Sequence, residues 1–368
     1  MIAQETGTVL EKRDAWPGVS RVWVALDSDG SRVSALSYLD IVGTPKPGDR
    51  LLLNANALRK GLGTGGDAFV VANLDAEGET ALPEGHMMKA RYTPQQMMVN
   101  ALDDPASQSH DAIDALEDLE GMSVVVAGLH SAVGPIAAGF RTHSPAARLV
   151  YVHTDWAALP VAYSRANARL REEGLLAATI SAGQSFGGDA EAVSIPSALA
   201  AARAHFEADA VIVAQGPGNL GTGTRWGFGS IAIADALHAA CAMGARAIHA
   251  PRVSEADPRE RHVGLSHHSR IVLERMLFPS VELPCVQAPN RREIDESIAG
   301  SYASINRARL ARGAQQHHVV ETSPDGLEQA LRDLPIRVST MGRGLDEDYA
   351  SFLYSALAGA LAASGATR

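Results

Sequence analysis

Met122-Ser-Val-Val-Val-Ala127 is a short apolar run that ends in Gly128-Leu-His130-Ser131. A β-rich run of this length, closed by small and polar residues, reads as a strand buried on both faces. The pattern recurs at Arg148-Leu-Val-Tyr-Val-His153, Leu176-Ala-Ala-Thr-Ile180, Ala210-Val-Ile-Val213, Ala245-Arg-Ala-Ile-His249 and Ile336-Arg-Val-Ser339. Between these runs the apolar spacing turns helical, over residues 159–173, 195–206, 230–243, 268–277 and 327–334. Ser323 is the expected N-cap of the last of these, with Pro324 at its first position. A final helix is expected over 346–363, its Asp346, Glu347 and Asp348 at the end where carboxylates suit the helix dipole. Alternating strands and helices predict an α/β fold: a three-layer αβα domain with a mostly parallel sheet.

Residues 1–75 read differently. Gly7-Thr-Val-Leu, Ser20-Arg-Val-Trp-Val-Ala-Leu26, residues 31–39, Arg50-Leu-Leu-Leu-Asn54 and Asp67-Ala-Phe-Val-Val-Ala-Asn73 are five short strands with no long helix among them. They predict a small N-terminal β-barrel-like module. Leu62-Gly-Thr-Gly-Gly-Asp67, between two of these strands, reads as a hairpin or as a rim of the main site. Residues 76–118, rich in glycine, proline and aspartate, read as a linker with one short helix over 93–102. Residues 119–368 then form the ligand-binding or catalytic domain.

Composition excludes several classes. The 368-residue chain carries a net charge of −10, which argues against a nucleic-acid binder, whose footprint would be basic. Arg252, Arg259, Arg261 and Arg343 are the candidates for a local basic patch. No apolar run approaches the roughly 18 residues of a membrane span, and the first residues lack the basic and apolar segments of a signal peptide. Cys241 and Cys285, the two cysteines, form no disulfide framework or paired metal motif, which fits a cytoplasmic setting. A homo-oligomer is compatible with all of this. No motif names a cofactor.

Parallel sheets place ligands beyond the carboxyl ends of their strands. All six expected strands exit into small, polar or ionisable residues, and the richest exit is Ala214-Gln-Gly-Pro-Gly-Asn-Leu-Gly-Thr-Gly-Thr224. Glycines let a backbone approach a ligand, and successive N–H groups in such a turn can hold an anion. Gly216, Gly218, Asn219, Gly221, Thr222, Gly223 and Thr224, with Asp189 and Arg343, are therefore the candidate ligand-binding residues. The expected ligand is a small anionic molecule, a phosphate or carboxylate. The glycine spacing matches neither a dinucleotide fingerprint nor a P-loop.

His130, Asp155, Ser185 and His267 are the candidate catalytic residues. Gly183-Gln-Ser-Phe-Gly187 matches the GxSxG string of a nucleophile elbow, with Asp257 and His267 or His268 as partners, and so opens a serine-hydrolase alternative. The helix that an elbow requires starts late, near residue 195. Imidazole and carboxylate at His130, Asp155 and His267 could bind a metal, although their spacing fits no named signature. Adjacent histidines 267 and 268 are expected to point in different directions, so that at most one faces a shared site. A non-catalytic interaction protein is the third reading.

Gly61-Leu-Gly-Thr-Gly-Gly-Asp, Gly128-Leu-His-Ser, Gly216-Pro-Gly-Asn-Leu-Gly-Thr-Gly-Thr, Gly264-Leu-Ser-His-His-Ser and Met341-Gly-Arg-Gly together resemble a bacterial family catalogued as domain of unknown function 3866. The resemblance covers nearly the whole chain and implies a soluble bacterial protein. It brings no activity, substrate or catalytic residue with it.

Overall fold

The computed structural model describes residues 2–62, 66–76, 78 and 85–366. Of the glycine cluster 61–66, residues 63–65 lie outside them. The chain divides into two units, Met1–Asn100 with Ala162–Ala168, and Ala101–Val161 with Arg169–Arg368.

In the first unit, β1 (Gln4–Trp16), β2 (Val19–Leu26), β3 (Arg32–Tyr38), β4 (Arg50–Asn54) and β5 (Asp67–Asn73) close a barrel in the order β1-β2-β3-β5-β4. The short helices α1 (Leu39–Val42) and α2 (Asn56–Lys60) join its strands. Closure depends on β1, which is long enough to pair with β4 by its first half and with β2 along most of its length. Register shifts between Val9 and Glu11 and between Lys12 and Asp14 bend it around the barrel. Val9, Val22, Val24, Leu51, Leu53 and Val70 fill the interior. The helix expected over 93–102 does not form. β6 (Met87–Lys89) and β7 (Met97–Val99) pair as an antiparallel hairpin, and Pro94 lies in the connection. Ala90 and Tyr92, just before that segment, have φ of 47° and 61° and turn the chain from β6 toward β7.

The second unit begins with α3 (His110–Asp114) and is built on eight parallel strands. These are β8 (Ser123–Ala127), β9 (Leu149–Thr154), β10 (Ala178–Ala182), β11 (Ala190–Ala192), β12 (Ala210–Gln215), β13 (Arg246–Ala250), β16 (Glu282–Val286) and β17 (His318–Thr322). Their order is β11-β10-β9-β12-β8-β13-β16-β17. The chain winds from central β8 toward β10, returns to β12 and then crosses to β13. The exits of β8, β12 and β13 thus lie side by side where the winding reverses. A small hairpin, β14 (Val253–Ser254) with β15 (Gly264–Leu265), rises directly beyond β13.

The sheet has helices on both faces. α4 (Val133–His143), α10 (Leu327–Arg332) and α11 (Tyr349–Ala363) pack together on one. α6 (Ile195–Ala204) and α7 (Ile233–Ala242) pack together on the other, with α3 against α6. α5 (Arg165–Glu172), α8 (His267–Ile271) and α9 (Glu293–Leu310) complete the connections.

Three expectations change. Ile336-Arg-Val-Ser339 is not a strand; the Ile336 side chain packs against Gly134 of α4, and Val338 is buried in the core. β16 and β17 take the sheet edge instead. α10 starts at Leu327 behind Gly326, whose φ is 75°, while Ser323 bonds Asp325 in the preceding turn. α11 starts at Tyr349, and Asp348 turns away from the helix to bond Ser254 and Glu255.

Candidate functional site

The β14–β15 hairpin carries the densest polar cluster in the sheet unit. Its loop holds Asp257, Arg259, Arg261 and His262. Ser266 then caps α8, accepting from the His268 N–H, so that His267 and His268 occupy the first turn. Asp257 is the hub. Its Oδ1 accepts from Arg259 N and Nε at 3.0 and 2.9 Å, and its Oδ2 accepts from Arg259 at 2.9 Å, Arg343 at 3.3 Å and Arg252 at 3.5 Å. The Arg259 guanidinium beside it holds its carboxyl far below the usual range. Arg343 also donates to Asp348 Oδ2 at 2.9 Å, and the same oxygen accepts from Ser254 Oγ at 2.7 Å.

The positive charge is not fully answered. Arg252 is largely buried, and burial together with the neighbouring Arg259 pushes it down to about 10. Arg261 is exposed and makes no hydrogen bond or ion pair among the described residues. Its guanidinium lies beside Gly223, 3.6 Å from where a Cβ would stand there.

Next to these arginines stand three imidazoles. The ring centroids of His262, His267 and His268 lie 4.8, 5.0 and 4.3 Å apart, and one nitrogen from each falls within 4.8 Å of the others. His262 is 1% exposed and its Nδ1 lies 2.7 Å from Ser266 Oγ. His267 Nε2 is buried with no hydrogen-bond partner among the described residues. Phe228 stacks flat on His268, with centroids 4.0 Å apart. Burial, reinforced by Arg252, lowers His262 to about 3. Burial, with His267 beside it, lowers His268 to the same value. All three rings are neutral near pH 7. The expectation that at most one of 267 and 268 faces a shared site fails, because both rings on the first turn of α8 come within about 5 Å of His262 and the three bring one nitrogen each together.

The other candidate residues fall into two groups. His130, at the exit of β8, joins Tyr151 and His153 of β9, with Tyr151 donating toward the main-chain oxygens of Ala214 and Gln215 at 3.2 and 3.3 Å. Burial, with His153 nearby, takes His130 down to about 3. Asp155 accepts from Gln184 N at 2.9 Å. Asn219 Oδ1 accepts from Ser230 N at 3.1 Å, and Ser230 lies against Gly128, two residues before His130. Phe228, two residues before Ser230, meets His267 at 6.1 Å between centroids. The segment from Asn219 to Ser230 thus touches both the β8 exit, through Gly128, and the first turn of α8, through His267. A small cavity between the β8 and β13 exits and α11 is lined by Gly128, Leu129, Ser131, Pro251, Arg252 and Ser355, and by none of His130, Asn219 and His267.

The rest are occupied structurally. Ser185 is fully buried and donates to Leu159 O at 2.8 Å, so no elbow exposes its hydroxyl and the hydrolase geometry is absent. Asp189 forms a two-pronged ion pair with Arg171 and accepts from Thr179 N, closing the β10–β11 connection. Arg343 pairs with Asp257 and Asp348, not with Asp346 or Glu347. The glycine loop is an exposed hairpin tip. Thr222 and Thr224 bond each other at 3.0 Å, Gly227 N donates to Thr224, and Gly221 bridges to Phe228. Gly218 and Gly223 have φ of 106° and 78° and supply its turns. Gly216 lies under His153, whose ring is 2.7 Å from where a Cβ would stand. His262 escaped the sequence reading because a lone histidine in a polar turn carries no periodic signal.

The chain matches, over residues 34–359, the family described as "Protein of unknown function (DUF3866)", and it belongs to that family. No curated protein matches it. Among the described residues no helix is long and apolar enough to cross a membrane.

Proposed function

With membership of that family as the premise, we propose that the protein binds a small oxyanion, a phosphate or carboxylate, at the carboxyl edge of the sheet beside the β14–β15 hairpin. The observation that supports this is a charge imbalance. Arg252, Arg259 and Arg343 meet where, among the described residues, only Asp257 and Asp348 answer them, and the unpaired Arg261 adds its charge beside the neighbouring histidines, in a chain whose net charge is −10. Guanidinium groups match oxyanions with paired, charge-assisted hydrogen bonds. Arg261 is the group with capacity to spare. The place agrees with the rule for parallel sheets, beyond the strand ends where the winding reverses.

Melting of the protein in chloride, phosphate and acetate at matched ionic strength tests the reading. A ligand at 100 times its Kd adds about 2.7 kcal/mol to the folded state. Phosphate or acetate should raise the Tm of the wild type, and Arg261→Ala should lose that rise while melting normally in chloride. Equal rises in both proteins would remove Arg261 from the site, and no rise in either would end the proposal.

A further inference from the structure

We propose that His262, His267 and His268 bind a divalent first-row transition-metal ion, and that the anion held by the neighbouring arginines completes its coordination. One nitrogen from each ring lies within 4.8 Å of the others, and small side-chain rotations would draw them to the roughly 3.4 Å spacing that three nitrogens about 2.0–2.1 Å from one tetrahedral ion require. Three protein ligands leave a position open, and neutral imidazole suits zinc, cobalt, nickel or iron rather than magnesium or calcium.

The surroundings are arranged for ligation. Ser266 Oγ, 2.7 Å from His262 Nδ1, can accept that nitrogen's proton and leave Nε2 its lone pair. His267 Nε2 is buried and has no protein partner among the described residues, so a bound ion would answer a polar atom that nothing else satisfies. Phe228 fixes the plane of His268. His268 Nδ1 faces Arg252 Nη1 at 3.4 Å. Ligation through Nε2 moves the ring proton to Nδ1 and turns Arg252 away, toward the anion.

The arginines bear on affinity. A dication beside uncompensated guanidinium groups is repelled, and an anion on the open position removes that repulsion. Metal and anion should therefore strengthen each other's binding, by the same factor in both directions. The metal half of this proposal stands apart from the anion reading; the co-ligand half rests on it.

Titration of the chelator-treated full chain with Co2+ in chloride buffer, followed by visible absorption, tests the metal half. One equivalent should bind. Loss of a partner one bond removed from a metal costs about 10–100-fold in affinity, so His267→Gln and His268→Gln should each weaken Co2+ by at least that much. Both positions are partly exposed, and circular dichroism checks that the variants fold. Failure to bind Co2+, or unchanged binding in the double variant, overturns the site even if phosphate still stabilises the protein. Sulfate should tighten Co2+ binding about tenfold in the wild type and not in Arg261→Ala. Tightening in neither protein, or equally in both, overturns the co-ligand half alone.

Discussion

Asp257 and Arg261 lie four residues apart in one hairpin loop, yet their replacement should have opposite consequences. The Asp257 side chain is fully buried and answers three guanidinium groups. Asp257→Asn leaves the mostly buried Arg252 without its charge partner and Arg343 with Asp348 alone, and breaking a buried pair costs about 3–5 kcal/mol. Part of that loss should return when phosphate is added, because an anion can stand in for the carboxylate. Arg261 is exposed and unpaired among the described residues, and replacement of such a side chain changes stability by about 0.5 kcal/mol or less. Urea unfolding of the two variants, with and without phosphate, checks both statements. A phosphate effect on Asp257→Asn no larger than on the wild type would mean that the arginines are satisfied by other means.

At the scale of elements, the α4–α11 crossing is set by two glycines. A Cβ at Gly139 would stand 1.9 Å from Ala356 O, and one at Gly359 would stand 2.0 Å from Ile136 O. The two backbones are in contact, and neither helix can back away without uncovering Phe140, Phe352 and Leu357. Gly359→Ala should cost at least the ~1–3 kcal/mol typical of overpacking. Gly300, on the exposed face of α9, has nothing within 4 Å of its missing Cβ, and Gly300→Ala should stabilise by about 0.5–1 kcal/mol. Thermal melts of the pair with opposite signs would confirm the crossing; a neutral Gly359→Ala would refute it.

The same comparison explains what could be read from sequence. Strands such as β8 and β12 are continuous apolar runs and declare themselves. β16 does not, because Pro284 interrupts it; the strand tolerates a residue without an N–H since its register with β13 is a single pair, Ile248↔Glu282. α9 keeps Ile294, Ile298, Tyr302 and Ile305 on one stripe, but polar neighbours dilute the pattern. In the site, His267 stood among the candidate catalytic residues and Arg252 in the candidate basic patch. The grouping of His262 with them was not, because it depends on a hairpin of two-residue strands, Val253–Ser254 and Gly264–Leu265, too short to carry any periodicity.

Across the whole molecule, buried ionisable groups should make acid unfolding occur in two stages. His153, His249 and His317 are 0, 1 and 3% exposed, and burial lowers each from 6.5 to about 4. His317 shows why: its Nδ1 accepts from Val281 N at 3.3 Å and its Nε2 donates to Leu273 O at 2.9 Å, so a second ring proton would meet an N–H. The unfolded chain takes up these protons near pH 6.5. It binds more protons than the folded chain between pH 6.5 and 4, so stability is fully present above 6.5 and falls as pH drops through that window. The slope is at most about 1.4 kcal/mol per pH unit for each histidine. Carboxylates act later. Hydrogen bonding to Arg21 lowers Asp14 from 3.8 to about 2, so its contribution persists above 3.8 and is lost only as pH falls toward 2. His317→Gln keeps an acceptor and a donor but cannot be protonated in this range. Its stability should decline less steeply than that of the wild type between pH 6.5 and 4, with the two curves parallel below 4. Urea midpoints at half-unit intervals measure the difference, and parallel curves through the upper window would mean that His317 is not held neutral by the fold.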